Sequence, residues 1–479
     1  MVMRITEAMA SASGLEPEDS RTVAELVGVW RDNLPENQLR DAYYSAKVGV
    51  KDLGVSVSRQ LSKKLDPRVD WAAKCVDWWS DRVQYEGVTC TGEEHQATLD
   101  KTYRRNDMKN LVHKTASSAL KHCCAFMTVT AGHEDRGEPP IVVSGYPATA
   151  ASAVFDEGLE RITSGLVVVS SVRLRGSRER YPVLAYAFTD QNLIVLSRPT
   201  PSSTWSAEYI PHSMGRVPME PIAYHATLTK PFGRSRITEP VMRLVDAAQR
   251  EMENMEAAAA FSAWPQKYLM GADSSTAAKI AEEPFRAFIG SLFVGTTNKN
   301  GQIPQFGQLS QLTMQPHIDY MRSLASQFSG TTGVPVSSLG GISDNPSSAE
   351  AIYAGKEDAI VDIQGFVNAC KHSLESISAM VVAQAGNMSY AEAQDALGTV
   401  NVNFANPAMP SVVSQSDAMV KQISAIPWLA DSDVALRELG YTDEQIAQLH
   451  DDRSRSQGTA LAMRILGSNE TGAQGAAEV

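Results

Sequence analysis

The chain has 479 residues, 43% hydrophobic and 20% charged, with a formal net charge of −12. That length exceeds what one simple core can hold and implies about two to four domains. The acidic balance, without a Lys/Arg cluster, argues against a sequence-specific DNA binder, which needs a basic face.

Five scattered cysteines (Cys75, Cys90, Cys123, Cys124, Cys370) suit reduced core thiols rather than a disulfide framework. No apolar leader follows "MVMRITEA", and runs such as "GLVVVSS" are far too short to span a membrane. An intracellular, soluble protein with no membrane partner is the expectation.

Residues 20–130 read mainly helical. "DWAAKCVDWWSDRV" places Trp71, Cys75, Val76 and Trp79 on one helix face. "NDMKNLVHKTASSALKHCCAFMTV" continues as helix and turns strand-like at its end. Between about 125 and 228 the texture changes to short β-rich runs: "PPIVVSGY", "GLVVVSSVRLRG", "RYPVLAYAFTD", "QNLIVLSRP" and "TWSAEYIPH". Their spacing predicts an antiparallel meander, interrupted by a helical stretch at "ASAVFDEGLERI".

The next segment, "GRSRITEPVMRLVDAAQREMENMEAAAAFSAWPQK", predicts a long amphipathic helix. Thr238 can cap it, Glu239 suits its positive end, Pro240 is tolerated in the first turn, and Pro265 stops it. Val241, Val245, Ala248, Met252, Met255 and Ala259 form the apolar face. Arg243, Asp246, Arg250, Glu253 and Glu256 form a face expected to meet solvent. A small α/β insert follows over about 265–311, containing "KYLM", "GSLFVG" and the turn "TTNKNGQ". A second helix, "PHIDYMRSLASQF", then puts Ile318, Met321, Leu324 and Phe328 on one side.

The stretch "GTTGVPVSSLGGISDNPSSAEAIYAGKEDAI" is rich in Gly, Ser and Pro, and so long a loop within a domain is usually functional or disordered. It leads into a helix start where Ser347 and Glu350 match a capping box. Ile360, Ile363, Val367, Cys370, Leu374, Ile377 and Val381 follow in alternating steps of three and four, a heptad-like seam. At ~1.5 Å per residue a helix over 348–386 would run about 55 Å and needs partners throughout. Those partners come either from its own chain or from a neighbouring copy; a neighbour in a ring or bundle is the favoured source, so Ile360, Ile363, Val367, Leu374 and Ile377 are intersubunit candidates. The tail beyond 388 is largely helical, with "DSDVALRELGYTDEQIAQLHDD" giving two short helices joined at Gly440, and "GSNETGAQGAAEV" is low-complexity.

The sequence assembles no active site. It has no phosphate-cradling G-x-x-x-x-G-K-[ST], no G-x-S-x-G elbow, no H-E-x-x-H and no C-x-x-C pair. His113 and His122 are nine residues apart and do not share a helix face as ligands would. Cys123–Cys124 reads as small core residues, Trp78–Trp79 as core or interface, and Glu251, Glu253 and Glu256 as a solvated face. No catalytic residue, metal or cofactor is expected.

Three segments together resemble the portal proteins of tailed bacteriophages, of the siphophage type. "FGRSRITEPVMRLVDAAQREMENMEAAAAFSAWPQKYLMGAD" is similar to the entry into their first stem helix. "GTTGVPVSSLGGISDNPSSAEAI" is similar to the loop and helix after the second, and "LRELGYTDEQIAQL" to the helical crown. The order around a helix–insert–helix unit is more specific than any single motif.

The resemblance implies an α+β, mainly helical fold. It would comprise a wing (1–235), a first stem helix (236–263), an α/β clip (264–312), a second stem helix (313–330) and a tunnel loop (331–347). A long helix (348–387), a crown (388–455) and a C-terminal tail (456–479) would complete it.

It further implies a twelvefold homo-oligomeric ring at one capsid vertex of the virion, assembled in the host cytoplasm. Such a ring is a channel for DNA packaging and ejection. It is also a platform for the terminase large subunit and head-completion or adaptor proteins, beside major capsid and scaffolding proteins. The loop residues Val336, Ser337, Ser338, Leu339, Gly340, Gly341, Ser343 and Asn345 would line the channel. Lys356 would face it or make a surface or intersubunit ion pair. Asn298, Lys299 and Asn300 would be clip contacts to partners. Double-stranded DNA would pass without being gripped, consistent with the acidic charge. The alternatives are another head–tail connector or structural adaptor and, last, a hydrolase.

Overall fold

The computed structural model describes residues 2–4, 7–50, 65–263, 267–271, 313–340, 357–407 and 412–456, with parts of 301–308, and without positions 134, 136, 178, 440, 442–444 and 447. The chain forms two compact units, 1–407 and 408–479.

The first unit begins with β1 (Val2–Met3), α1 (Pro17–Tyr44), α2 (Trp71–Ser80), β2 (Tyr85–Cys90), α3 (Glu93–Arg105) and α4 (Met108–His122). Strands follow: β3 (Cys124–Ala131), β4 (Ile141–Pro147), β5 (Ala151–Asp156), β6 (Arg161–Arg173), β7 (Glu179–Phe188), β8 (Asn192–Ser197), β9 (Ser206–Pro211) and β10 (Met219–Ala223). The unit ends with α5 (Glu239–Ala263), β11 (Lys267–Met270), β12 (Gln305–Gln308), α6 (Gln315–Thr332), α7 (Glu357–Gly386), α8 (Tyr390–Leu397) and β13 (Val400–Phe404). The described part of the second unit includes α9 (Val412–Ala425) and α10 (Asp433–Glu438), joined by a 3-10 turn at Pro427–Asp431.

β5 to β9 form an antiparallel meander in sequence order, with β1 added parallel to β7. Its alternation buries Leu166, Val168, Ala185, Ala187, Ile194 and Leu196 against the Val23, Leu26, Val27, Trp30 and Leu34 stripe of α1. Burying each of the leucine, isoleucine and valine side chains contributes roughly 1.5–3 kcal/mol. The stretch read as helical between strands is instead the β5–β6 hairpin. Asp156 closes its turn by accepting from the Gly158 and Leu159 amides at 2.8 and 2.9 Å. That local bond offers the backbone an alternative to a helix. β2 also falls inside the region read as helical; it pairs antiparallel with β13, over three hundred residues away, a contact no local pattern announces.

A second sheet, ordered β10–β3–β4, carries α4 and α7 packed on it. Here lies the largest core, where Trp71, Cys75, Val76 and Trp79 of α2 are all buried as their spacing predicts. α5 and α6 pack along each other on either side of the β11–β12 pair in the chain. The face of α5 read as solvated is only partly so. Arg243 and Glu256 are exposed, but Asp246 is 4% and Glu253 3% exposed. The Tyr43 hydroxyl donates to Asp246 at 2.9 Å, and Glu251, also buried, meets His317 of α6 at 2.6 Å. Asp246 and Glu251 are buried where partners from distant elements satisfy them.

Candidate functional site

The loop leaving α6 is held in shape before it reaches the residues outside the description. α6 ends at Thr332, and Gly333 takes the left-handed conformation (φ 71°), a usual helix terminus. Pro335 sets an extended entry (φ −59°) to a 3-10 turn at Val336–Leu339, and a second left-handed glycine, Gly340 (φ 85°), closes it. Val334 is fully buried, and Val336 and Leu339 lean on the main core, while Ser337 and Gly340 are exposed. Within the expected channel set, then, Val336 and Leu339 fasten the turn to the body. Ser337 and Gly340 are the positions turned outward, with Ser338 half-buried. Gly341, Ser343, Asn345 and Lys356 lie outside the described residues, as do the Ser347–Glu350 capping box and the clip candidates Asn298, Lys299 and Asn300.

The helix that follows is described from Glu357. Four of the five seam residues face the chain's own core: Ile363 and Ile377 are fully buried within the single chain, and Val367 and Leu374 are 1% exposed. Ile360, the remaining candidate, is half-buried. The partners are the chain's own α3, β3, β10 and β13. From Ser376 to Ala383 every residue is buried, so this half of α7 is a core helix. A heptad-like pattern does not distinguish a coiled-coil seam from a helix packed on a sheet, since both need an apolar stripe.

The polar side chains nearest to a chemical arrangement are Ser118, His122 and Asp41. Ser118 Oγ lies 3.3 Å from His122 Nδ1, and His122 Nε2 lies 3.1 Å from Asp41 Oδ1. Burial raises the Asp41 carboxyl, but hydrogen bonds from His122 and from Lys121 (2.8 Å) outweigh it and hold it well below the usual range. Burial lowers His122 despite Asp41, so the ring is neutral, donating from Nε2 and accepting at Nδ1. With the imidazole 2% exposed, a substrate has no approach to it. The trio ties α1 to α4. Cys123 and Cys124 are free thiols pushed up by burial, in keeping with small packed residues. Trp79 is core, while Trp78 is half-buried with the Arg82 guanidinium 3.8 Å above its ring.

A cleft of about 420 Å³ opens between the β5–β6 turn, α7 and α8. It brings Glu160, Arg161, Arg216, His372 and Glu375 together with Tyr390, and Arg216 is already engaged by buried Glu220 and the Tyr390 ring. Both signs of charge meet there, and the Ser376 hydroxyl on its wall accepts from the Tyr390 hydroxyl at 3.4 Å. Among the described residues, no group of three or more His, Cys, Asp or Glu could hold a metal ion. No described helix is long and apolar enough to cross a membrane.

No family model matches the chain. A protein named portal protein from Mycobacterium phage L5 is 25% identical over 366 residues, 73% of this chain and 71% of that protein. The portal protein of Mycobacterium phage D29 is 22% identical over 469 residues, 93% of this chain and 90% of that one. Among solved structures, a chain in the neck of an empty gene transfer agent particle superposes with a TM-score of 0.44 at 13% identity, covering 79% of this chain and 92% of that chain. A chain of the native gene transfer agent virion gives 0.43 at 13% identity, covering 85% and 98%. The resemblance read from three segments is borne out: over most of its length the chain is similar to the portal proteins of two mycobacterial phages.

Proposed function

We propose that the chain is the subunit of a portal ring at one capsid vertex, the channel for DNA packaging and ejection. The observation that carries this reading is the similarity to two phage portal proteins, which spans 93% of the chain in one case. The helix–insert–helix order supports it: α5 and α6 pack together as a stem pair would, with the β11–β12 insert between them as the clip. Residues 1–235 are then the wing and the second unit most of the crown. The loop after α6 is the tunnel loop, with neutral Ser337 and Gly340 offered to the duplex. Twelve copies, docking of the terminase large subunit and of head-completion proteins, contact with capsid and scaffolding proteins, and assembly in the host cytoplasm belong to the same reading. In it the chain has no catalytic task, and ATP hydrolysis rests with the motor.

Acidic charge fits a conduit. A wall that neutralised many phosphates would hold DNA with steep salt dependence, whereas net −12 per copy keeps such adhesion low. Imaging the purified protein end-on in negative stain, with its mass in solution measured alongside, tests the reading. Annular particles with a central hole are expected. A compact monomer at every concentration, and also in the presence of scaffolding protein, would overturn it.

A further inference from the structure

A single buried arginine touches both the start and the return of the loop segment. Arg236 sits in the lead-in to α5, where its own amide donates to the Leu120 carbonyl at 2.8 Å and the Ser235 hydroxyl donates to that of Lys121 at 2.6 Å. Its guanidinium stacks 3.3 Å over the Trp79 ring, and its side chain is 5% exposed. Nε donates to the Cys75 carbonyl at 3.0 Å, Nη1 to the Tyr224 hydroxyl at 2.6 Å, and Nη2 to the carbonyl of Thr332, the last residue of α6. Nη1 also lies 3.6 Å from Asp362 Oδ2 in the second turn of α7. Asp362 is held in turn by the Tyr224 hydroxyl at 3.0 Å and by His225. The two ends are close enough to touch: a Cβ on Gly333 would stand 3.3 Å from the Ala359 Cβ.

We infer that Arg236 is the positioning residue that fixes where the segment after α6 leaves the body and where α7 returns to it. A charge taken out of water with one partly exposed counter-ion is weak as a stabiliser, because desolvation offsets the attraction. What the planar fork supplies is geometry: several donors in fixed directions reach acceptors on three elements. The Thr332 carbonyl is one of the acceptors that a helix end leaves orphaned, so its bond to Arg236 sets the end of α6 against α2. The consequence for DNA passage rests on the portal reading. Each copy's loop would start and finish at points set by one side chain, so all loops in a ring would present alike.

Hydrogen exchange of the purified full chain tests the clamp without needing a ring. Arg236→Met keeps the volume and the contact with Trp79 but removes every donor. It is expected to speed exchange at least about tenfold, the loss of one charged hydrogen bond, in peptides covering 329–340 and 357–366. Exchange in 161–197 should stay unchanged. Asp362→Asn should loosen 357–366 alone. Arg236→Lys should not restore either peptide, since an ammonium cannot reproduce the fork. The assignment falls if neither peptide responds to Arg236→Met, if exchange rises equally throughout the chain, or if lysine restores both. A normal exchange response in a chain that never forms rings would sink the portal reading and leave the clamp standing.

Discussion

His122 shows how one side chain can join distant segments and set a pH dependence. Its ring is neutral in the folded state, because burial penalises the cation more than Asp41 favours it. In the unfolded chain the ring takes a proton near its ordinary value of about 6.5. Below that pH the unfolded state binds more protons, so stability falls as pH falls, by at most about 1.4 kcal/mol per pH unit for one group. Asp41 acts in the same direction at lower pH. Its carboxyl is held ionised by His122 and Lys121, and its contribution is lost as acid protonates it. His122→Ala should cost about 1–3 kcal/mol at neutral pH, through the lost hydrogen bonds to Asp41 and Ser118 and the buried space left by the ring. It should also flatten the fall in thermal midpoint between pH 6.5 and 5. A mutant whose midpoint falls as steeply as the parent's would show that another group sets the slope. Nothing in the sequence marked His122 as half of this pair, because Asp41 is eighty-one positions away.

At the scale of elements, α7 carries the clearest contrast between what the sequence shows and what it hides. Its apolar period identifies a helix and the side that is buried, but not what buries it. The answer, β10, β3, β13 and α3, depends on strands paired with segments far away in the chain. Leu374→Ala in this setting should destabilise the single chain by about 2–5 kcal/mol in denaturant melts. An intersubunit seam would leave the unassembled chain's stability unchanged and weaken only assembly. Gly333 offers a second test: its φ of 71° and the nearby Ala359 and Trp79 leave little room for a side chain. Gly333→Ala should cost about 1–2 kcal/mol, the left-handed penalty, with some added crowding. The meander of β6–β9 and the stripe of α2 were legible because alternation and helical spacing act locally, whereas β4, read into the same meander, pairs with β3 in the other sheet. The β5–β6 hairpin was not, because Ala-Ser-Ala-Val-Phe suits helix or strand and only the Asp156 turn decides. The α5 acids were misread for a related reason: an amphipathic pattern cannot reveal that Tyr43 and His317 arrive to partner Asp246 and Glu251.

For the whole molecule, the portal reading raises whether the proposed lumen would repel or merely tolerate a duplex, and Ser337 offers a way to ask it. The residue is exposed on a turn fastened by Val334, Val336 and Leu339, so a longer side chain there should leave the core undisturbed. Non-specific DNA affinity follows the number of phosphates neutralised, with a salt slope of about −0.9 per phosphate on duplex DNA. Rings of the parent chain should therefore bind short duplex DNA weakly and with a shallow slope. Rings of Ser337→Lys gain one cation per copy at the position proposed to face the duplex. Their slope should steepen by up to about one for each lysine that reaches a phosphate. Packaging through such a ring should slow, since every advance would have to break contacts that the neutral serine never makes. If the salt slope is the same for both rings, position 337 does not meet DNA, and the channel-facing assignment of this turn fails even where the ring itself is seen.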